Sequence, residues 1–226
     1  MPNIVNTVAV DWRSGKDRCY FFFKDTNTFS RFNNADDEVP AGYPTKVNEA
    51  NWQGFHSHAT KLRFGFHYTE GAVIGDDDRL YLFYYEGNIP TICSYNQDKD
   101  KVETIKPISS DNRWKLLAPH FQNIITATWW SHSTILLIMN DGHYLRLNIQ
   151  THTIEKLPIN NNTWQGLDPY KYEIVTAVQF DNDLSRNYYY IFLTENRYLK
   201  YDMQDDLVID GPNAINDYNW KGLLRN

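Results

Sequence analysis

The chain has 226 residues, 42% hydrophobic and 22% charged, which is the make-up of a globular protein and too apolar for a disordered one. Its net charge of −6 sets nucleic acid aside, because gripping a phosphate backbone needs a basic face. Aromatic residues reach 15%, with 16 Tyr, 12 Phe and 7 Trp, a content that suits the pleated, half-buried surface of a sheet.

In chain order, the first segment reads as four strands. "TVAV" (Thr7 to Val10) is short and β-branched, "CYFFFK" is the strongest, and "TFSRFN" follows the polar turn "DTN". A weaker fourth strand leads to Pro44, and a polar stretch then reaches "NWQGF", with Trp52, Gly54 and Phe55. The same order returns as "RFGF" (Arg63 to Phe66), "LYLFYY", "TICSYN", Pro107 and "NRWKLL", with Trp114. A third pass gives "TATW", "TILLIM", "HYLRLN", Pro158 and "TWQGL", with Trp164. The fourth gives "TAVQF", "YYYIFL", "RYLKYD", Pro212 and "NWKGLL", with Trp220. The four tryptophans stand 62, 50 and 56 residues apart (52 to 114, 114 to 164, 164 to 220), each shortly after a proline. Self-similarity at such a period is the mark of a repeat architecture.

The polar stretch before each Trp has the composition of a short helix or helical turn, started by the proline and stopped by the glycine. Each unit is then four strands plus a short closing helix. One such unit cannot bury both its faces, whereas a closed ring of them can. Four four-stranded units around a channel make an all-β, four-bladed β-propeller. The expected blades run over residues 4–58, 59–120, 121–170 and 171–226 of a single domain. The tryptophans, once per repeat, read as blade closers rather than as ligand platforms.

The pattern of small-residue first strand, "YFF" second strand, "YxRxD"-type third strand and closing "P…WxGL" resembles the hemopexin-like repeat family. It is clearest in "YFFFKDTNTFSRFN…GYPTKVNEANWQGF" and "RYLKYD…WKGL", and it covers residues 4–224. The resemblance implies a narrow central channel in which inner-strand backbone carbonyls hold calcium or sodium. The positions that match are Thr7, Arg63, Gly65, Thr126, Ala127, Thr176 and Ala177. The family's usual Asp-Ala or Asn-Ala pair is replaced there, and an Arg63 guanidinium aimed into the channel would repel a cation or stand in for one. Stand-alone members are associated with polyamines and haem, and some behave as lectins; as appendages of metalloproteases these domains dock proteins. Exported members tie first and last blades by a disulfide. Here Cys19 has no partner in the fourth repeat, so closure is expected from packing of "WKGLL" on the first strand.

Other candidates have plainer readings. His56 and His58 alternate in "HSH" but lack a third ligand with telling spacing, so they read as a surface linker. Asp76 to Asp78 and the pair Asp205-Asp206 read as solvated loops, lacking the alternation of a calcium loop. His67, His120, His132, His143 and His152 are scattered. Tyr85, Trp130 and Tyr189, each from an aromatic pair, are the candidates for ligand stacking on a blade face. "NNT" at Asn161 to Thr163 matches a glycosylation acceptor. No phosphate loop, nucleophile elbow or zinc-protease motif appears. Two cysteines make no disulfide framework and read as free buried thiols. No secretory leader or bilayer-length apolar run is present, which points to the cytoplasm. The expectation is a non-enzymatic binding protein, monomer or homodimer, that holds a small cationic ligand in its channel. The alternative is a lectin or protein-docking module using exposed aromatics.

Overall fold

The computed structural model describes residues 3–12, 18–69, 78–131, 133–183 and 186–225. Sixteen strands form four antiparallel sheets of four, each built from consecutive strands. The first blade holds β1 (Thr7–Trp12), β2 (Arg18–Phe23), β3 (Thr28–Asn33) and β4 (Thr45–Lys46). The second holds β5 (Leu62–Thr69), β6 (Asp78–Glu86), β7 (Ile89–Asn96) and β8 (Lys101–Pro107). The third holds β9 (Ile124–Ser131), β10 (Thr134–Met139), β11 (His143–Asn148) and β12 (Thr153–Pro158). The fourth holds β13 (Ile174–Asp183), β14 (Arg186–Leu193), β15 (Arg197–Asp202) and β16 (Leu207–Ala214). The inner strands meet in a cycle, β1 on β5, β5 on β9, β9 on β13 and β13 back on β1, which is a four-bladed β-propeller. Among the described residues no helix is long and apolar enough to cross a membrane.

The core consists of four layers, one in each gap between blades. Period-two alternation divides each strand between its two neighbours. In the first blade Val8, Val10, Tyr20 and Phe22 pack toward the second blade, while Ala9, Cys19, Phe21 and Phe23 pack toward the fourth. Each layer has one closing tryptophan at its centre: Trp52, Trp114, Trp164 or Trp220. Trp52 touches Trp12, Tyr20, Phe22 and Phe29 of its own blade and Tyr95 of the next, with ring centroids 4.7–5.9 Å apart. Both cysteines are buried.

Of the two forms expected before each Trp, helix or helical turn, the structure has the turn, and it is capped. Asn48, Asp111, Asn160 and Asn216 accept a backbone N–H two residues on, and Trp52, Trp164 and Trp220 donate back to the carbonyls of Asn48, Asn160 and Asn216 at 2.8–2.9 Å. Asx capping, which a short polar side chain supplies and a proline does not, starts the turn. The prolines sit at or near the fourth strand: Pro44 directly precedes β4, Pro107 and Pro158 are the last residues of β8 and β12, and Pro212 lies within β16. Short 3₁₀ turns follow the tryptophan in the first three blades, at His56–Lys61, Lys115–Asn123 and Asp168–Tyr170.

The glycine two residues after the Trp has a mechanical reason. Gly54, Gly166 and Gly222 have φ of 78°, 84° and 77°, and Glu49, Asn161 and Asp217 each accept the glycine N–H. The chain there lies against the outer edge of the next blade, where Gln53 bridges Lys101, Gln165 bridges Leu207 and Lys221 bridges Glu38. The second repeat has Leu116 at this place and runs directly into its 3₁₀ turn. Ring closure follows the same rule, with a correction: Lys221 meets the outer edge at Glu38 and Val39, not the first strand. Val39 N–H donates to the Lys221 carbonyl at 2.8 Å, and Trp220 packs on Phe32 of the first blade. The amino end helps, since Ile4 N–H reaches Asn196 Oδ1 at 3.0 Å.

A Cβ on Gly166 would sit 3.0 Å from Val208 Cβ, whereas one on Gly87, φ 59°, would meet nothing within 4 Å. Both alanine variants carry the left-handed cost of about 1–2 kcal/mol. Urea unfolding is expected to show a clearly larger loss for Gly166→Ala, and about 3–5 kcal/mol for Trp164→Ala.

Candidate functional site

At the hub, strand register fixes which residues are equivalent. Val8, Phe64, Thr126 and Thr176 pair with Phe22, Phe83, Ile138 and Phe192, which in turn face Phe29, Ile92, Tyr144 and Tyr198. Thr7 therefore precedes the place of Thr126 and Thr176 by one residue and is matched by Arg63. The next position is small in all four blades: Ala9, Gly65, Ala127 and Ala177. A Cβ on Gly65 would approach Val10 Cγ1 and Leu82 Cδ2 to 2.9 Å, so crowding between inner strands selects the small residue.

Polar groups of the hub are spent across the seams between blades. Thr176 Oγ1 accepts the Ala9 N–H at 2.9 Å, joining the fourth blade to the first. Thr126 Oγ1 donates to the Ala177 carbonyl at 3.1 Å and shares a hydrogen bond with the Tyr189 hydroxyl at 3.0 Å. Arg63 Nη2 donates to the Gln122 carbonyl at 2.8 Å and the Ile124 carbonyl at 3.4 Å, and its guanidinium lies over Tyr85. The guanidinium thus takes carbonyls at the start of the third inner strand.

The two mouths differ in charge. Where the inner strands begin, Arg63 stands near Lys24, whose ammonium is held below the ordinary lysine range by burial and by Arg63. Where they end, Asp11, His67, Trp129 and Gln179 occupy equivalent places. There the His67 N–H donates to Asp11 Oδ1 at 3.0 Å and Thr128 donates to Gln179 Oε1 at 2.9 Å. All of Asp11, His67, Thr128 and Gln179 are buried.

In a ring both faces of every blade have a neighbour, so no free blade face exists for stacking. Tyr189, 1% exposed, is core. Tyr85 is half-buried on Phe121. Trp130 alone of the three borders a groove. That groove, 230 Å³, lies between the third and fourth blades and is walled by Trp130, Tyr144, Arg146, Thr163, Trp164 and Asp206. The equivalent groove between the fourth and first blades, 290 Å³, is walled by Tyr190, Tyr198, Lys200, Asn219 and Trp220, with Asp37 from across the seam. A third, 210 Å³, includes Tyr81, Ile92, Ser94 and Arg113 of the second blade. The correspondence is positional: Leu136 pairs with Arg146, Tyr190 with Lys200 and Tyr81 with Ser94. Asp37 and Asp206 are matching turn residues, with φ of 52° and 58°. The signal was present in the third strands, where Arg31, Ser94, Arg146 and Lys200 recur at one place.

The histidines do not gather. His56 contacts Glu49 at 2.7 Å, His58 contacts Glu86 at 3.0 Å, and His143 contacts Asp141 at 3.2 Å. Asp76, Asp77 and His132 lie outside the described residues, as does the side chain of Asp78. Among the described residues no three His, Cys, Asp or Glu side chains form a metal-holding group.

No family model and no curated protein matches the chain. Among solved structures it is similar to the extracellular domain of a one-component system from B. thetaiotaomicron, at 9% identity and TM-score 0.36, over 87% of this chain and 23% of that one. It is similar to the Dos1 propeller at 9% identity and TM-score 0.32, over 90% of this chain and 45% of that one. A luciferin-regenerating enzyme matches at 10% identity and TM-score 0.39, over 93% of this chain and 76% of that one. The chain spans less than half the length of the first two, and likenesses this distant say nothing of activity.

Burial pushes the hydroxyls of Tyr81, Tyr84, Tyr95, Tyr189, Tyr190 and Tyr201 well above tyrosine's ordinary value of 10.0. A folded value above the unfolded one gives stability that is whole below pH 10 and is lost as pH rises beyond it. Urea midpoints are expected to fall steeply above pH 10, with phenolate absorbance appearing together with unfolding.

Proposed function

We propose that the protein is a non-enzymatic binding propeller of the hemopexin-like type that takes glycans in the grooves between its blades. One observation carries this: the same groove recurs at equivalent positions, with aromatic walls and polar groups of both signs. A sugar ring has apolar C–H faces that lie on aromatic rings and an equator of hydroxyls that both donate and accept. Trp130, Trp164 and Tyr144 supply the first requirement in one groove, and Arg146, Thr163 and Asp206 the second. In the next groove Tyr190 and Tyr198 stand with Lys200, Asn219 and Asp37. At 210–290 Å³ the grooves fall below the ~300–1,000 Å³ that encloses a drug-sized molecule, and they match single sugar rings. Sites this shallow bind weakly one at a time, and repetition around a ring supplies avidity of about 10²–10⁴ where ligands are multivalent.

A glycan array followed by titration of the hits tests the reading. Trp130→Phe with Asp206→Asn in one groove, and Lys200→Gln with Asp37→Asn in the other, are each expected to cut binding by about tenfold, the loss of roughly 1.4 kcal/mol. A blank array, or hits that ignore both groove variants, would remove the proposal.

A second reading keeps the hub as the site of a calcium or sodium ion or a small amine, at the mouth where the inner strands end. The buried carboxylate of Asp11 favours that mouth, and the positive charge of Lys24 and Arg63 opposes the other. Calorimetry with calcium and spermine is expected to give heat that Asp11→Asn abolishes; unchanged heat in the variant would place any cation elsewhere.

A further inference from the structure

We infer that a cavity at the ring-closing seam is a binding site for an oxyanion, a carboxylate or phosphate group, separate from both the grooves and the hub axis. The cavity has a volume of 550 Å³ and lies at the mouth where the inner strands begin. Three distant parts of the chain build it. Asn3, Asn6 and Thr7 come from the amino end, Lys24 and Thr26 from the turn after β2, and Arg225 from the carboxyl end.

Charge selects the ligand class. In a chain of net charge −6, Lys24 and Arg225 line this one cavity and Arg63 stands close to Lys24. None of the three is held by a carboxylate ion pair: Arg225 Nη1 donates to the Pro40 carbonyl at 3.2 Å, and Arg63 to the carbonyls of Gln122 and Ile124. The acid on the cavity wall, Asp25, is engaged by Asn6 Nδ2, which donates to both its oxygens at 2.9 and 3.0 Å. The Asp25 carboxylate still favours the Lys24 ammonium through space, but less than burial and Arg63 disfavour it. The ammonium of Lys24 is disfavoured by burial and by Arg63. A half-buried cation in that condition gains from any anion that approaches it, because charge-assisted hydrogen bonds strengthen as water is displaced.

A second, independent observation points the same way. Thr7 lines this cavity at 3% exposure, and its hydroxyl is buried with no hydrogen-bond partner in the protein. Buried hydroxyls are almost always satisfied. The counterpart threonines of the hub obey that rule, since Thr126 and Thr176 each bond across a seam. Thr7, one residue out of step with them, is the exception, and it sits beside Lys24. An oxyanion between Lys24 and Arg225 supplies the acceptor that the Thr7 hydroxyl lacks.

The position gives such a ligand a consequence. The cavity spans residues from both chain ends, next to the closure made by Lys221 on Glu38 and Val39. A bound anion would join the amino end, the first blade and the carboxyl end in a chain that has no disulfide among its described residues. Binding to the closed ring alone raises its stability by mass action.

Thermal melting and calorimetry with inorganic phosphate, citrate and acetate, against sodium chloride at equal ionic strength, separate phosphate from carboxylate recognition. At least one oxyanion is expected to raise the melting temperature above the chloride control. Lys24→Met should weaken that ligand about tenfold and Thr7→Val severalfold, while the Trp130→Phe, Asp206→Asn groove variant leaves it unchanged. Thr7→Val keeps the side-chain volume and serves as the readout if Lys24→Met unfolds. Melting shifts equal to those of chloride, or an affinity untouched by Thr7→Val and Lys24→Met, would overturn the inference.

Discussion

A four-stranded sheet whose inner and middle strands carry apolar and aromatic residues on both faces has nothing of its own to cover them. That constraint governs the rest of this structure. Period-two alternation hands successive residues of every strand to opposite neighbours, so each blade is completed by the blade on either side. The closing tryptophan fills the remaining space in each gap, its ring edge-on or tilted against aromatic partners from its own and the next blade. The glycine two residues later lets the chain turn flat onto the next outer edge.

The same constraint shapes the places where a ligand can sit. Once both blade faces are covered, half-buried aromatics such as Trp130 and Tyr190 survive at the rims of the gaps, where the wedge of core thins toward the surface. There they meet charged residues from the third strands and from the turns of the next blade. The hub meets the opposite fate. Its inner strands approach so closely that only alanine or glycine fits at one level, and its hydroxyls, a guanidinium and several carbonyls are consumed in holding blades together. Arg63, Thr126 and Thr176, which look like channel residues in the sequence, are clamps between blades first.

Closure without a covalent bond puts unusual weight on the two ends of the chain. Trp220, Lys221 and Gly222 do for the fourth and first blades what their counterparts do elsewhere, and Ile4 and Asn196 add a short tie from the other side. The seam is thus an ordinary gap in its core and a special one in its rim, where residues near 3–7 and 225, a half-buried lysine and an unsatisfied threonine come together.

The repeat itself was legible residue by residue: four copies of strand, turn, strand, proline and tryptophan prescribe four blades, because local periodicity and turn chemistry are properties of short segments. The groove residues Ser94, Arg146 and Lys200 also stand at one place in their third strands, with Arg31 at that place in the first. Other features depended on contacts between segments far apart in the chain. The one-residue offset of Thr7 emerged only from strand register, and the fate of Tyr189 and Tyr85 only from having a neighbour on both sides. Of helix and helical turn, the capped turn prevailed before each tryptophan because it must place a ring in a gap, not extend an element. Sequence alone therefore decided how many blades there are and what each is made of. Which polar groups are spent on seams and which are left for a ligand was decided by the ring, since burial and pairing belong to the closed assembly and not to any one of its parts.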